Sequence, residues 1–109
     1  MRFFGLKTCD TCRKALKAIR DKGSDVTGID VRADGIAPDD QTSIVAAFGD
    51  ATLNRASTTW RGLSDAEKAA DVAALLAAHP TLMKRPVIEK DGVWTIGWKP
   101  DVQKQVLGE

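Results

Sequence analysis

The stretch "FFGLKTCDTCRKAL", Phe3 to Leu16, holds both cysteines of the chain and governs how the rest is read. An aromatic and aliphatic run closed by Lys7-Thr8 has the composition of a short strand. From Thr11 the period changes. Cys12, Ala15, Leu16 and Ile19 recur at three- and four-residue spacing, the mark of an amphipathic helix, and Arg13, Lys14, Lys17 and Arg20 cover its other face. Lys22-Gly23 supplies a basic last turn and a glycine stop. A strand therefore runs into a Cys-x-x-Cys at the start of a helix.

Three chemistries fit such a pair. In the first, Cys9 sits at the first helical turn, where free N–H groups and the positive end of the helix stabilise a thiolate and lower its pKa from about 8.5. Cys12, one turn on, is then placed to attack a mixed disulfide formed on Cys9. Lys7 and Arg13 add positive charge, and Asp10 opposes it. In the second, Cys9 alone is reactive and Cys12 is a small core residue. In the third, the pair is part of a metal site. A structural zinc needs four ligands, and the remaining soft ligand, His79, ends a different helix, so no metal is expected.

Outward from this stretch, "DVTGIDVR" (25–32) is rich in β-branched residues and reads as a second strand. "ADGIAPDD" is a loop in which Pro38 suits a first helical turn. "QTSIVAAFG" reads as a helix ended by Gly49, and "DATLNRASTTWRG" as a loop or broken short helix. "LSDAEKAADVAALLAAHP" (63–80) has the clearest helical pattern, with a Ser64/Glu67 capping box at its start and Pro80 at its end. "PVIEKDGVWTIG" is a hairpin turning at Asp91-Gly92, and Lys99-Pro100 opens a last helix through Leu107. A strand-helix-strand opening followed by two antiparallel strands is the thioredoxin-like plan. The expected fold is α/β, a glutaredoxin-type mixed four-stranded sheet. A helical insertion at about 38–80 lies between its second strand and the C-terminal hairpin. Residues 1–109 are expected to form a single domain.

Composition narrows the function classes. With 109 residues, 43% apolar and 28% charged, the chain can bury a core without staples. A formal charge of +1 gives no global field for nucleic acid or a membrane surface. No apolar run approaches the roughly 20 residues that span a bilayer, and the short run after Arg2 lacks the features of a secretory signal. The expected location is cytoplasmic, where thiols stay reduced, and the expected state is a monomer.

Several segments in order resemble the ArsC family, over almost the whole length: "FFGLKTCDTCRKAL", "LNRASTTWRGL", "HPTLMKRPVIEKDG" and "TIGWKP". That family comprises glutaredoxin-type arsenate reductases, Spx-type transcription regulators and ArsC-like thiol reductases. The "TTWRGL" and "IGW" patterns look most like the last group. The resemblance implies that Cys9 is the nucleophile. Cys12 matches the second cysteine of the Spx-type pair, where arsenate reductases have serine. Arg55 and Arg85 match anion-binding arginines, and Pro86 matches a proline that is usually cis, with its backbone beside the active thiol. Lys99 falls where arsenate reductases have a third arginine, and Gly5 where they have a histidine. An arginine fork binds an oxyanion in a bidentate way that lysine does not reproduce.

The implied activity is glutathione- or glutaredoxin-linked reduction of a small anionic or thiol substrate, with no bound cofactor and with Lys7, Arg55, Arg85 and Lys99 as anion-binding candidates. The alternative is an Spx-like redox regulator that binds RNA polymerase, against which stands the chain's short length. Trp60, Trp94 and Trp98 read as packing residues, and His79 as a helix-end cap.

Overall fold

A computed structural model describes residues 1–108. In chain order its elements are β1 (Arg2–Gly5), α1 (Asp10–Asp21), β2 (Thr27–Asp30), α2 (Pro38–Phe48), α3 (Thr58–Arg61), α4 (Asp65–Lys68), α5 (Val72–Ala78), β3 (Val87–Lys90), β4 (Val93–Ile96) and α6 (Pro100–Leu107), with 3-10 turns at Gly49–Thr52 and Pro80–Leu82. They form two compact units, Met1–Asp34 together with the segment from Arg85 onward, and Gly35–Lys84.

The first unit is built on one mixed sheet of order β2-β1-β3-β4. β1 runs parallel to β2, with Phe4 opposite Ile29, and antiparallel to β3, with Phe3 opposite Ile88. This is the thioredoxin-like topology expected from the order of elements. Strand alternation sends Phe3 and Ile88 to one face, where they bury with Cys12, Ala15 and Ile19 of α1 and Val106 of α6. On the other face, Phe4 meets Trp94 with ring centroids 5.8 Å apart. The β3–β4 hairpin turns through Asp91 (φ 52°) and Gly92 (φ 81°), the left-handed pair that a two-residue turn of this hand requires.

The second unit has its own apolar cluster of Leu53, Leu75 and Leu82, with Trp60, Leu63 and Val72 packed on it. Backbone bonds from Asn54 N–H to Leu82 O (2.7 Å) and from Lys84 N–H to Thr52 O (2.8 Å) join its two halves. Here one expectation is corrected. The run 63–80 is two helices rather than one. The Ser64/Glu67 capping box forms as the sequence predicts and starts α4. α4 ends at Lys68 with Ala69 as its C-cap, and the chain is extended at Asp71 (φ −70°, ψ 165°), whose carboxylate accepts from Ala74 N–H and starts α5 afresh. An aspartate in mid-pattern offers the backbone a competing hydrogen bond, and capping wins over continuation. His79 ends α5 through its backbone N–H to Leu75 O, and its Nε2 lies 3.6 Å from Glu67 Oε2. Among the described residues no helix is long and apolar enough to cross a membrane.

Candidate active site

Cys9 is the N-cap of α1, in extended geometry (φ −86°, ψ 120°). A turn closed by Cys9 N–H on Leu6 O (3.2 Å) delivers it there from β1. Both cysteines are free thiols; Cys9 is half-buried and Cys12 is buried. Cys12 lies one turn into the helix on the face that packs against Phe3 and Ile88. The spacing thus puts one thiol at the mouth of the helix and the other in its core-facing stripe.

Their ionisation follows from these positions. Partial burial works against the Cys9 thiolate, but the Cys12 N–H, the Cys12 thiol, the Arg85 guanidinium and the Thr11 N–H together hold its pKa below that of an ordinary thiol. The sulfur closes no capping hydrogen bond of ordinary length; the unpaired N–H groups act on it as fixed partial charges. For Cys12, burial dominates and pushes its pKa up to about 11, with the neighbouring Cys9 adding to the rise and the Leu6 N–H and Arg85 opposing it. The pair is therefore polarised, with Cys12 keeping its proton and donating it towards the Cys9 sulfur.

Gly5 has a steric role in this arrangement. A Cβ at Gly5 would lie 2.7 Å from Cys12 Sγ, 2.9 Å from Phe3 Cε1 and 3.3 Å from Cys12 Cβ. Its backbone φ is not in the left-handed region, so packing alone calls for glycine. The Cys12 thiol occupies the space that a side chain at position 5 would need.

The other sequence-predicted residues fall in several places. Arg85 immediately precedes a cis peptide bond to Pro86, as the resemblance implied, and is the side-chain cation that acts most strongly on Cys9. Lys7 lies by Asp30, whose carboxylate also accepts from the backbone N–H groups of Ala33, Lys7 and Arg32. Arg13 pairs with Asp10, which neutralises the acid that opposes a thiolate at this end of the helix. Lys99 is the exposed N-cap of α6. Arg55 belongs to the second unit, with its guanidinium 5.3 Å from the Trp60 ring centroid and 3.8 Å from Asp50. Trp98 packs on the cluster that contains Cys12, and Trp94 on Phe4, as expected of packing residues. Among the described residues no group of three or more His, Cys, Asp or Glu side chains is placed to hold a metal ion. Sequence reasoning missed the part played by Leu6, whose N–H faces the Cys12 sulfur; a backbone donor leaves no residue signature.

Beyond the cysteine pair, most of the chain aligns with known proteins. A model of the ArsC family matches residues 4–106. This chain belongs to the ArsC family. An uncharacterized protein of Haemophilus influenzae is 39% identical over 100 residues, covering 87% of this chain and 88% of its own. Among solved structures, the YFFB protein is 35% identical with a TM-score of 0.88 over 97% of each chain. An arsenate reductase (ArsC) related protein from Brucella melitensis is 33% identical with a TM-score of 0.71, over 95% of this chain and 91% of its own. This ArsC-family member thus shares both sequence and sheet topology with its relatives.

Proposed function

We propose that this ArsC-family protein is a thiol-based reductase of the cytoplasm, with Cys9 as nucleophile and Cys12 as resolving thiol. The observation that carries the reading is the placement of the two free thiols one helical turn apart, Cys9 as the N-cap of α1 and Cys12 on its buried face, which drives their ionisation in opposite directions. The Cys9 thiolate attacks one sulfur of a small mixed disulfide. A bond forms between Cys9 and that sulfur, and the other half leaves as a thiolate. The Cys12 thiol passes its proton to a departing thiolate and attacks the Cys9 sulfur. This breaks the mixed disulfide and releases the second half as a thiol. Two electrons have left the chain, which now holds a Cys9–Cys12 disulfide. Glutathione, or a glutaredoxin recharged by it, returns them by the same exchange chemistry. Arg85 stabilises the attacking thiolate, and Lys99 and Lys7 are the further anion-binding candidates of this unit.

Arsenate is a poor substrate on this reading. Lysine at position 99 lacks the bidentate fork, and a histidine side chain at position 5 is sterically incompatible with the observed place of the Cys12 thiol. One charge-assisted hydrogen bond is worth about 1.5–3 kcal/mol, so losing one lowers oxyanion affinity by about tenfold or more. The test is a pair of assays on one preparation, with glutathione and glutaredoxin as reductants. A small glutathione mixed disulfide should be turned over, and the Cys9→Ser variant should be inactive. Arsenate turnover should be at most a small fraction of that rate. Robust arsenate reduction, or no mixed-disulfide activity at all, would overturn the assignment.

A further inference from the structure

A groove of about 300 Å³ lies along α1, between that helix and the β1–β2 side of the sheet. Cys12, Leu16 and Arg20, on successive turns, form one wall, which extends for about 12 Å at 1.5 Å per residue. Phe3, Gly28 and Ile29 supply an apolar floor. Neither Cys9 nor Arg85 lines this groove, which adjoins the thiol site at Cys12 and runs from there along α1 to Arg20.

Two features indicate that the groove is open for a ligand. The first is Gly28, in the middle of the edge strand β2. Glycine weakens a strand, and inside one it often marks the close approach of a ligand. Here neither the backbone nor packing calls for it. Its φ is not in the left-handed region, and a Cβ would meet only Leu16 Cδ2, at an ordinary 3.7 Å. The missing side chain leaves the groove unfilled.

The second feature is charge. Of the cations lining the groove, Arg13 is paired with Asp10, and Lys7 donates its backbone N–H to Asp30. Asp30, the one lining carboxylate, is held by backbone N–H groups and Lys7. The Arg20 side chain has no hydrogen-bond or ion-pair partner among the described residues, which leaves one uncompensated guanidinium at one end of the trough.

From this we infer that the α1–β2 groove binds a small amphipathic monocarboxylate, its head on Arg20 and its apolar body laid over Leu16 and Gly28 towards the wall formed by Cys12. A guanidinium takes a carboxylate in a bidentate fork, and the volume lies at the small end of ligand pockets. The site does not depend on the redox reading.

The experiment titrates the reduced, full-length protein with sodium decanoate while backbone amide NMR signals are followed. Acetate serves as a head without a body, and decylammonium as a body with the wrong charge. Decanoate should cause saturable shifts centred on Leu16, Arg20, Gly28 and Ile29, and the two controls should not. Arg20→Ala should weaken binding about tenfold. Gly28→Leu fills the trough and should abolish binding while Cys9 alkylates at the wild-type rate, which shows that the fold is intact. Absence of saturable decanoate binding, shifts centred elsewhere, equal binding of decylammonium, or wild-type affinity in the Arg20→Ala and Gly28→Leu variants would each overturn the assignment.

Discussion

Replacing Gly5 by alanine tests the link between packing and thiol chemistry. Elsewhere, a Gly→Ala change at a compatible backbone stabilises by about 0.4–1 kcal/mol, because the unfolded chain loses freedom. At position 5 the new methyl would lie 2.7 Å from Cys12 Sγ and 2.9 Å from Phe3 Cε1. Cys12 and Phe3 are 2% and 3% exposed, so neither has room to yield freely. Overpacking of this kind costs about 1–3 kcal/mol, which outweighs the chain-entropy gain and leaves a net loss of about 1–2 kcal/mol. With a urea slope of about 1–3 kcal/mol/M, the unfolding midpoint should fall by about 0.3–2 M.

A double-mutant cycle identifies the source of that loss. In a Cys12→Ala background the nearest clash disappears while the Phe3 contact remains. Gly5→Ala should therefore cost less there, with a coupling of at least about 0.5 kcal/mol. The same displacement disturbs the Cys12 hydrogen bond that helps hold down the Cys9 pKa, so the pH midpoint of Cys9 alkylation should rise in Gly5→Ala. If Gly5→Ala unfolds at the wild-type urea concentration and leaves the alkylation profile unchanged, Gly5 is not shaped around Cys12 and the steric argument fails.

Two further substitutions examine separate parts of the structure. Arg85→Ala removes a cation that favours the ionised form of Cys9; alkylation followed by mass spectrometry should show the midpoint moving upward, towards that of an unfolded thiol, and a static or lowered midpoint would place Arg85 elsewhere in the chemistry. Asp71→Ala deletes the cap that starts α5 and should cost about 1 kcal/mol in urea unfolding, whereas an unchanged midpoint would mean that the break before α5 has another cause.

The sequence makes the fold legible wherever a residue pattern has a single physical reading. The three-and-four spacing after Thr11 specifies α1, Asp91-Gly92 specifies the hairpin, and Ser64 with Glu67 specifies the start of α4. It is least legible where two local rules compete. Asp71 fits the polar face of a continuous 63–80 helix as well as it fits a cap, and only the ψ of 165° at that residue shows which rule prevails. The candidate site divides in the same way. Cys9 at a helix start is visible in the chain. The weight of Arg85 on Cys9 is not, because it depends on a tertiary approach that the family resemblance suggests and composition does not. The pairing of Arg13 with Asp10 likewise depends on side-chain direction, so a cation close in sequence is not the one that acts most on the thiol.

The Cys-x-x-Cys spacing meets two demands that pull against each other. A resolving thiol has to stay within reach of the nucleophile, yet two thiolates side by side repel, so both cannot be activated at once. One helical turn separates a capping position, surrounded by unpaired N–H groups, from a position on the buried stripe. The same three-residue step therefore supplies reach and opposite ionisation together. Burial, with the neighbouring Cys9 adding to it, pushes Cys12 up, and the resulting S–H becomes a donor that helps hold Cys9 down. Glycine at position 5 allows the Cys12 sulfur to sit deep enough for this to work. A larger residue there would have to push the thiol off that position, giving up the protonated neighbour that polarises the pair. On this view Gly5 and Cys12 form one functional feature, and an ArsC-family chain carrying a histidine side chain at position 5 would need another way to activate its nucleophile.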